Sequence, residues 1–256
     1  MKDRSSQFRL IYILIYVLGI TLLGSLFMML FGVIIANIRG LDTSEVMTVL
    51  LKGEKNTNNA EIISCVNASK GFGNAFLYLV VFICAIIFLK NDFVDDFSGL
   101  RSNKKFYIYY IIISSILFTG IAYGLSELFG LWTEDSENQK TVVSIMKSSA
   151  MIPMIISTVL FAPVVEELVY RKCIFYYSRG YKIYVRYIFS IVLFTLPHVI
   201  TSIGKFSFGN YMLMIIPYFL DAFMLALIYH KGKYNIYTSI CAHMLNNILA
   251  VILLFI

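Results

Sequence analysis

Long apolar runs separated by short polar or charged stretches dominate this chain. Seven such runs fall near residues 10–38, 72–89, 106–132, 148–177, 186–203, 211–229 and 235–256. A bilayer core takes about 20 apolar residues of helix, so the pattern predicts seven membrane-spanning helices, the second and fifth of them short. The first run is too long for a signal-peptide core and lacks a clear small-residue cleavage site, which predicts a retained helix. The longest connection, about 39–71, reads as a loop with no role assigned to it. No internal repeat, Gly-rich phosphate loop or low-complexity tract stands out.

Composition strengthens this picture. Hydrophobic residues make up 59% of the chain, the mean hydropathy is +0.79 and charged residues are 14%, about half the share of a soluble domain. The expected fold class is an all-α polytopic integral membrane helix bundle, with the lipid bilayer as its surroundings. The net charge of +6 is no nucleic-acid signal, because the basic residues lie between the apolar runs, where they set topology. Fourteen of them fall at the amino terminus, in 90–105, in 171–186 and in 230–234, against seven on the opposite side. The opposite loops also hold Glu45, Glu54, Glu61, Glu134, Asp135 and Glu137. The asymmetry predicts an amino terminus inside, a carboxyl terminus outside, and an outward-facing 39–71 loop. Cys84, Cys173 and Cys241 lie in apolar runs and Cys65 in the loop, with no metal-ligand or disulfide spacing. Asn67-Ala68-Ser69 matches a glycosylation sequon, a pattern too short to carry weight.

Ionisable groups at mid-membrane cost at least about 2.5–3.5 kcal/mol on insertion scales, so each needs a reason. The run "FAPVVEELVYRKCIFYY" holds Glu166, Glu167 and Arg171. Residues four apart share a helical face, so Glu167 and Arg171 are expected to pair. Glu166 points about 100° away, toward the side of Tyr170, and is left available. Pro163 cannot donate a backbone hydrogen bond and is expected to leave the Val159 carbonyl without its usual partner. His198 follows Pro197. His243 and Asn247 share a face of the last run, with Asn246 beside them. Counted from the basic side at about 1.5 Å per residue, Glu166 lies about 20 Å deep and His198 and Asn247 about 18 Å, with His243 one turn shallower. Shared depth predicts one site. Asp221, about 12 Å from the basic end of its helix, is expected not to be a primary catalytic group.

A carboxylate and a histidine in a wet cavity activate water, and a second histidine with an asparagine amide donates to an oxyanion. Together they suffice for amide hydrolysis. Glu166, His198 and His243 also make a two-His-one-Glu set of the kind that binds zinc, and the sequence does not choose between the two. A proton relay through Glu166, Asp221 and the histidines is a further reading.

These residues resemble a known family. "EELVYR" has the form EExxxR, "FTLPH" the form FxxxH and "HMLNN" the form HxxxN, in the order found in the CAAX-protease and bacteriocin-processing (CPBP, or Abi) family of intramembrane proteases. The resemblance covers about 148–256, and so divides the chain into amino-terminal helices and outer loops, 1–147, and a catalytic core, 148–256. It implies an intramembrane endopeptidase, described for the family as metal-dependent or as glutamate-dependent without metal. Glu166 and His198 would activate water, His243 and Asn247 would hold the oxyanion, and Glu167 and Arg171 would support the site. The implied partner is a membrane-associated peptide or protein substrate, and the implied location a bacterial plasma membrane. The alternative is a non-catalytic self-immunity or signalling partner. Oligomeric state stays open.

Overall fold

The computed structural model describes residues 4–53, 56–128 and 137–255. Lys2, Glu54, Lys55, Glu134 and Asp135, all used above for orientation, lie outside them, as does the end of the third apolar run. Among the described residues every regular element is helical. Helix α1 (Arg4–Leu18) passes through a π-helical turn, Gly19–Leu23, into α2 (Gly24–Arg39). Gly40 ends α2 in the left-handed region, φ 66°, where a side chain would be strained, and its N–H returns to the Ala36 carbonyl. Next come α3 (Thr43–Lys52), α4 (Ala60–Phe88), α5 (Lys90–Ser102), α6 (Lys104–Leu128) and α7 (Glu137–Met146).

Helix α8 (Met151–Ile156), a π-helical turn Ser157–Phe161, α9 (Ala162–Glu167), a second π-helical segment Leu168–Ile174 and α10 (Phe175–Tyr177) form one continuous rod. Helices α11 (Ile183–Val199), α12 (Phe208–Lys231) and α13 (Ile236–Leu253) complete the chain. Among the described residues seven helical stretches are long and apolar enough to cross a membrane: Ser5–Arg39, Ala60–Phe88, Lys104–Leu125, Met151–Tyr177, Ile183–Ser202, Phe208–Lys231 and Ile236–Leu253. The seven-helix expectation therefore holds.

The expected 39–71 loop is largely helical. Asn59 caps α4 by accepting from the N–H of Glu61 at 2.9 Å, so the second span starts twelve residues earlier than hydropathy placed it. Its first turns carry Ser64, Asn67, Ser69 and Lys70, which look unlike lipid-facing sequence. Several of these positions face protein instead. Cys65, Val66 and Ala68 are fully buried, so Cys65 is a packed helix residue and not a loop cysteine. Asn67 is only 8% exposed and accepts from Ser144 Oγ at 3.4 Å. An amide so enclosed is no glycan acceptor.

On the face that holds the basic connections, α5 ties the bundle together. Arg9 pairs with Asp92, Lys172 with Asp96, and Asp96 accepts from the N–H of Ile236 at 2.8 Å. Burial nevertheless pushes the Asp96 carboxyl above its ordinary range, against the pull of Lys172. On the opposite face α7 is latched by Glu137, whose N–H donates to Ser202 Oγ at 3.1 Å and whose carboxylate accepts from Lys205 at 3.1 Å. The Lys205 hydrogen bond holds that carboxyl below the usual carboxylate range.

Candidate active site

The three motifs meet through stripes of residues four apart. On α11 the stripe is Ser190, Phe194 and His198. On α13 it is Ser239, His243 and Asn247, and on α4 it is Asn74 and Tyr78. Glu166 and Glu167 close α9 just where the second π-helical segment begins. Single π-helical turns shift the register of a helix by one residue and recur at functional sites.

Glu167 and Arg171 are both fully buried and face one another, Oε2 to Nε, at 3.2 Å. The expected pair is present, although those two atoms are out of line for a hydrogen bond. Arg171 also donates to Ser190 Oγ at 2.8 Å and to the Ala222 carbonyl at 3.3 Å, and it lies over the Phe194 ring, 5.0 Å from the centroid. The second oxygen of Glu167 lies 3.1 Å from His243 Nδ1. A carboxylate only accepts, so Nδ1 carries the proton and donates. Sequence reasoning gave Glu167 one partner. It has a further partner in His243, and that contact fixes the His243 ring.

Glu166 turns the other way, as expected. It does not bond its neighbour Tyr170, whose hydroxyl is 3.0 Å from that of Tyr16. Tyr78, from α4, donates to Glu166 Oε1 at 2.8 Å. Oε2 stands 4.0 Å from His243 Nε2, too far for a hydrogen bond. Sequence reasoning missed Tyr78 and Asn74, since both lie in the half of the chain that carries no motif. Their signal was two polar side chains at i and i+4 in an otherwise apolar run. Asn74 donates to Ser157 Oγ at 3.4 Å.

His198 Nδ1 donates to the Phe194 carbonyl at 2.9 Å, since that oxygen can only accept. The lone pair is then on Nε2. The ring stacks on Phe194 at 5.1 Å, and Phe194 also packs against His243 at 5.9 Å. The zinc set that the sequence left open is not gathered: among the described residues no group of three or more His, Cys, Asp or Glu could hold a metal ion. Glu166, His198 and His243 in this arrangement do not fit a zinc ion.

Asn247 Nδ2 donates to the Thr158 carbonyl at 2.8 Å. The π-helical turn lies just before Pro163, and there the Ala162 N–H reaches back five residues to the Ser157 carbonyl. Pro163 has no N–H to give to that turn, and Asn247 meets the Thr158 carbonyl in it. One amide hydrogen of Asn247 is thereby used and the second is left for the cavity.

Glu166, His198, His243 and Asn247 all line one cavity of about 340 Å³, far more than the ~30 Å³ share of one water. Asp221, expected not to be a primary catalytic group, lines it as well, as do Asn74, Tyr78 and Asn246. The lining runs from Glu166, Phe194 and His243 to Asn138 and Gln139 of α7 and to Leu254. Among the described residues none from α5 or from the turns at 178–182 and 232–235 takes part. The cavity therefore reaches toward the face opposite the basic connections.

Comparison of the chain with curated proteins and with solved structures returned no match. The family comparison points to a membrane-embedded protease of the CAAX type in general. Residues 148–249, which contain all three motifs, match the family model described as Rce1-like, Type II CAAX prenyl endopeptidase Rce1-like.

Proposed function

We propose that this protein is an intramembrane endopeptidase in which Glu166 and His198 activate water and His243 and Asn247 hold the oxyanion. The observation that carries this reading is the division of labour between adjacent glutamates. Glu167 is committed to Arg171 and to His243 Nδ1, which leaves His243 Nε2 directed toward Glu166 at the cavity. The site therefore has one fixed structural carboxylate and one available base.

The chemistry runs on these groups alone. Glu166, oriented through Oε1 by Tyr78, takes a proton from a water while the oxygen attacks the scissile carbonyl carbon. His198 Nε2, with its lone pair, is a second acceptor for that water. The carbonyl oxygen becomes the oxyanion of a tetrahedral intermediate. It accepts from Asn247 and from the Nε2–H of His243 in its imidazolium form. Collapse breaks the C–N bond, the proton held by Glu166 passes to the leaving amine, and an acid and an amine leave.

In this reading residues 148–256 are the catalytic core and 1–147 a supporting bundle that lends Tyr78 and Asn74. The amino terminus lies inside a bacterial plasma membrane and the carboxyl terminus outside, on the excess of basic residues in the inner connections. The cavity then receives a membrane-associated peptide or protein from the outer side. Peptide maturation and bacteriocin self-immunity both suit such a site. The test is to compare peptides in membranes from cells carrying the native protein with those carrying Glu166→Gln at equal abundance. Accumulation of an uncleaved peptide in the variant is expected. Identical profiles, with the cellular phenotype retained, would overturn proteolysis in favour of a non-catalytic binding role.

A further inference from the structure

The hydrolytic steps leave one acid of the cavity without a task. Asp221 stands on α12 at the cavity wall, outside the three motifs. Other acids of the bundle have cationic partners: Glu167 faces Arg171, Asp92 faces Arg9 and Asp96 faces Lys172. Among the described residues no lysine or arginine lines the cavity, and none forms an ion pair with Asp221. The field of His243 reaches it, but that ring is held by Glu167.

A second feature of the same cavity is independent of Asp221. Asn246 is 9% exposed, lines the cavity, and its Oδ1 has no hydrogen-bond partner. A buried acceptor left orphaned is costly. A carboxylate and an orphaned carbonyl oxygen in a cavity lined by no lysine or arginine among the described residues suit the same ligand, a positively charged donor. Tyr123 also lines the cavity, and aromatic faces attract cations.

We infer that Asp221 and Asn246 form a subsite for a basic side chain, lysine or arginine, close to the scissile bond of the substrate. The inference rests on the reading of this cavity as the peptide site. The side-chain cation meets the Asp221 carboxylate and donates to Asn246 Oδ1, and its seating fixes the register of the peptide against Glu166.

The test uses the full chain in phosphatidylcholine vesicles and short amino-terminally myristoylated peptides bearing a dye and a quencher. Acylation of the amino terminus leaves a side chain as the cation on offer. A lysine, glutamine or glutamate is placed at each position in turn. At one position lysine should exceed glutamine in kcat/KM by about tenfold or more, the scale of a close charge pair, with glutamate slowest. Asp221→Asn should bring the lysine-to-glutamine ratio to about one, and Asp221→Glu should preserve it. In a parallel arm, anisotropy measures binding of quencher-free versions to Glu166→Gln protein, where lysine should be favoured by a similar factor until Asp221→Asn is added. If Asp221→Asn does not fold, Asn246→Ala reads the same ratio, with a fall of about threefold expected from loss of a hydrogen bond. A ratio near one at every position, or a lysine preference that survives Asp221→Asn, overturns the subsite. Glu166-dependent cleavage without lysine preference removes the subsite and keeps the protease. Asp221-dependent lysine binding without any cleavage keeps the subsite and removes the protease.

Discussion

Between α2 and α4 the helices meet on small residues. A Cβ placed on Gly73 would lie 2.7 Å from the backbone nitrogen of Met28, and Ala36 and Ala68 are fully buried. Where the π-helical rod meets α11, α12 and α13, apolar packing is joined by a buried arginine, which engages Glu167, Ser190 and the Ala222 carbonyl. Both regions lie among apolar spans. Lipid tails are as apolar as leucine, so helices in a bilayer associate through close packing or through polar contacts. The α2–α4 seam uses the first, and its packed small residues are chemically silent, although α4 goes on to lend Tyr78 and Asn74 to the cavity. The carboxyl-terminal region adds the second, and its structural charges also orient the reactive ones. The difference shows how one polar network can be scaffold and site at once.

The strongest way to break the comparison is to strand a charge. Glu167→Ala leaves Arg171 buried and unpaired and should cost about 3–5 kcal/mol, read as early melting or poor accumulation in detergent. Arg171→Ala should do much the same, and the double variant should recover part of the loss. If Glu167→Ala melts like the native protein, the network is not what holds these helices.

Glu166→Gln removes the base and leaves the Glu167–Arg171 pair in place. Cleavage should fall by about 10²-fold or more with the melting curve unchanged. A destabilised Glu166→Gln beside a stable, inactive Glu167→Ala would reverse the two assignments.

The silent region gives the opposite signature. Gly73→Ala drives a methyl group into the backbone of Met28 and should cost about 1–3 kcal/mol as overpacking. The fraction that remains folded should keep its native kcat, because the added methyl group meets Met28 and Gly73 does not itself line the cavity. A selective loss of kcat would join the two regions functionally.

Tyr78→Phe lies between the two cases. It removes the hydrogen bond to Glu166 Oε1 and should lower kcat by about tenfold, equivalent to ~1.4 kcal/mol, with little change in melting. An unchanged kcat would show that Glu166 needs no orienting from α4.

Much of the candidate site was readable from spacing. Glu167 and Arg171 four residues apart announced their pair, and the common depth of Glu166, His198 and Asn247 announced a shared layer. The first turns of α4 were not readable, because Ser64, Asn67 and Ser69 resemble loop sequence until α2, α3 and α7 are packed against them. Asp221 was set aside because it belongs to no motif, and motifs say nothing about which wall of a cavity another helix turns inward.

The sequence by itself determined that the chain is helical, that seven stretches are able to span a bilayer, and which residue types carry the chemistry. These follow from hydropathy and period, which depend on each residue and its near neighbours. Only the tertiary structure decided that Asn247 meets the Thr158 carbonyl beside the π-helical turn, that Glu167 holds His243, and that Tyr78 and Asp221 enter the cavity. Each depends on the rotation and depth of one helix against another. A π-helical turn changes both by one residue, and no local pattern records where packing places that turn.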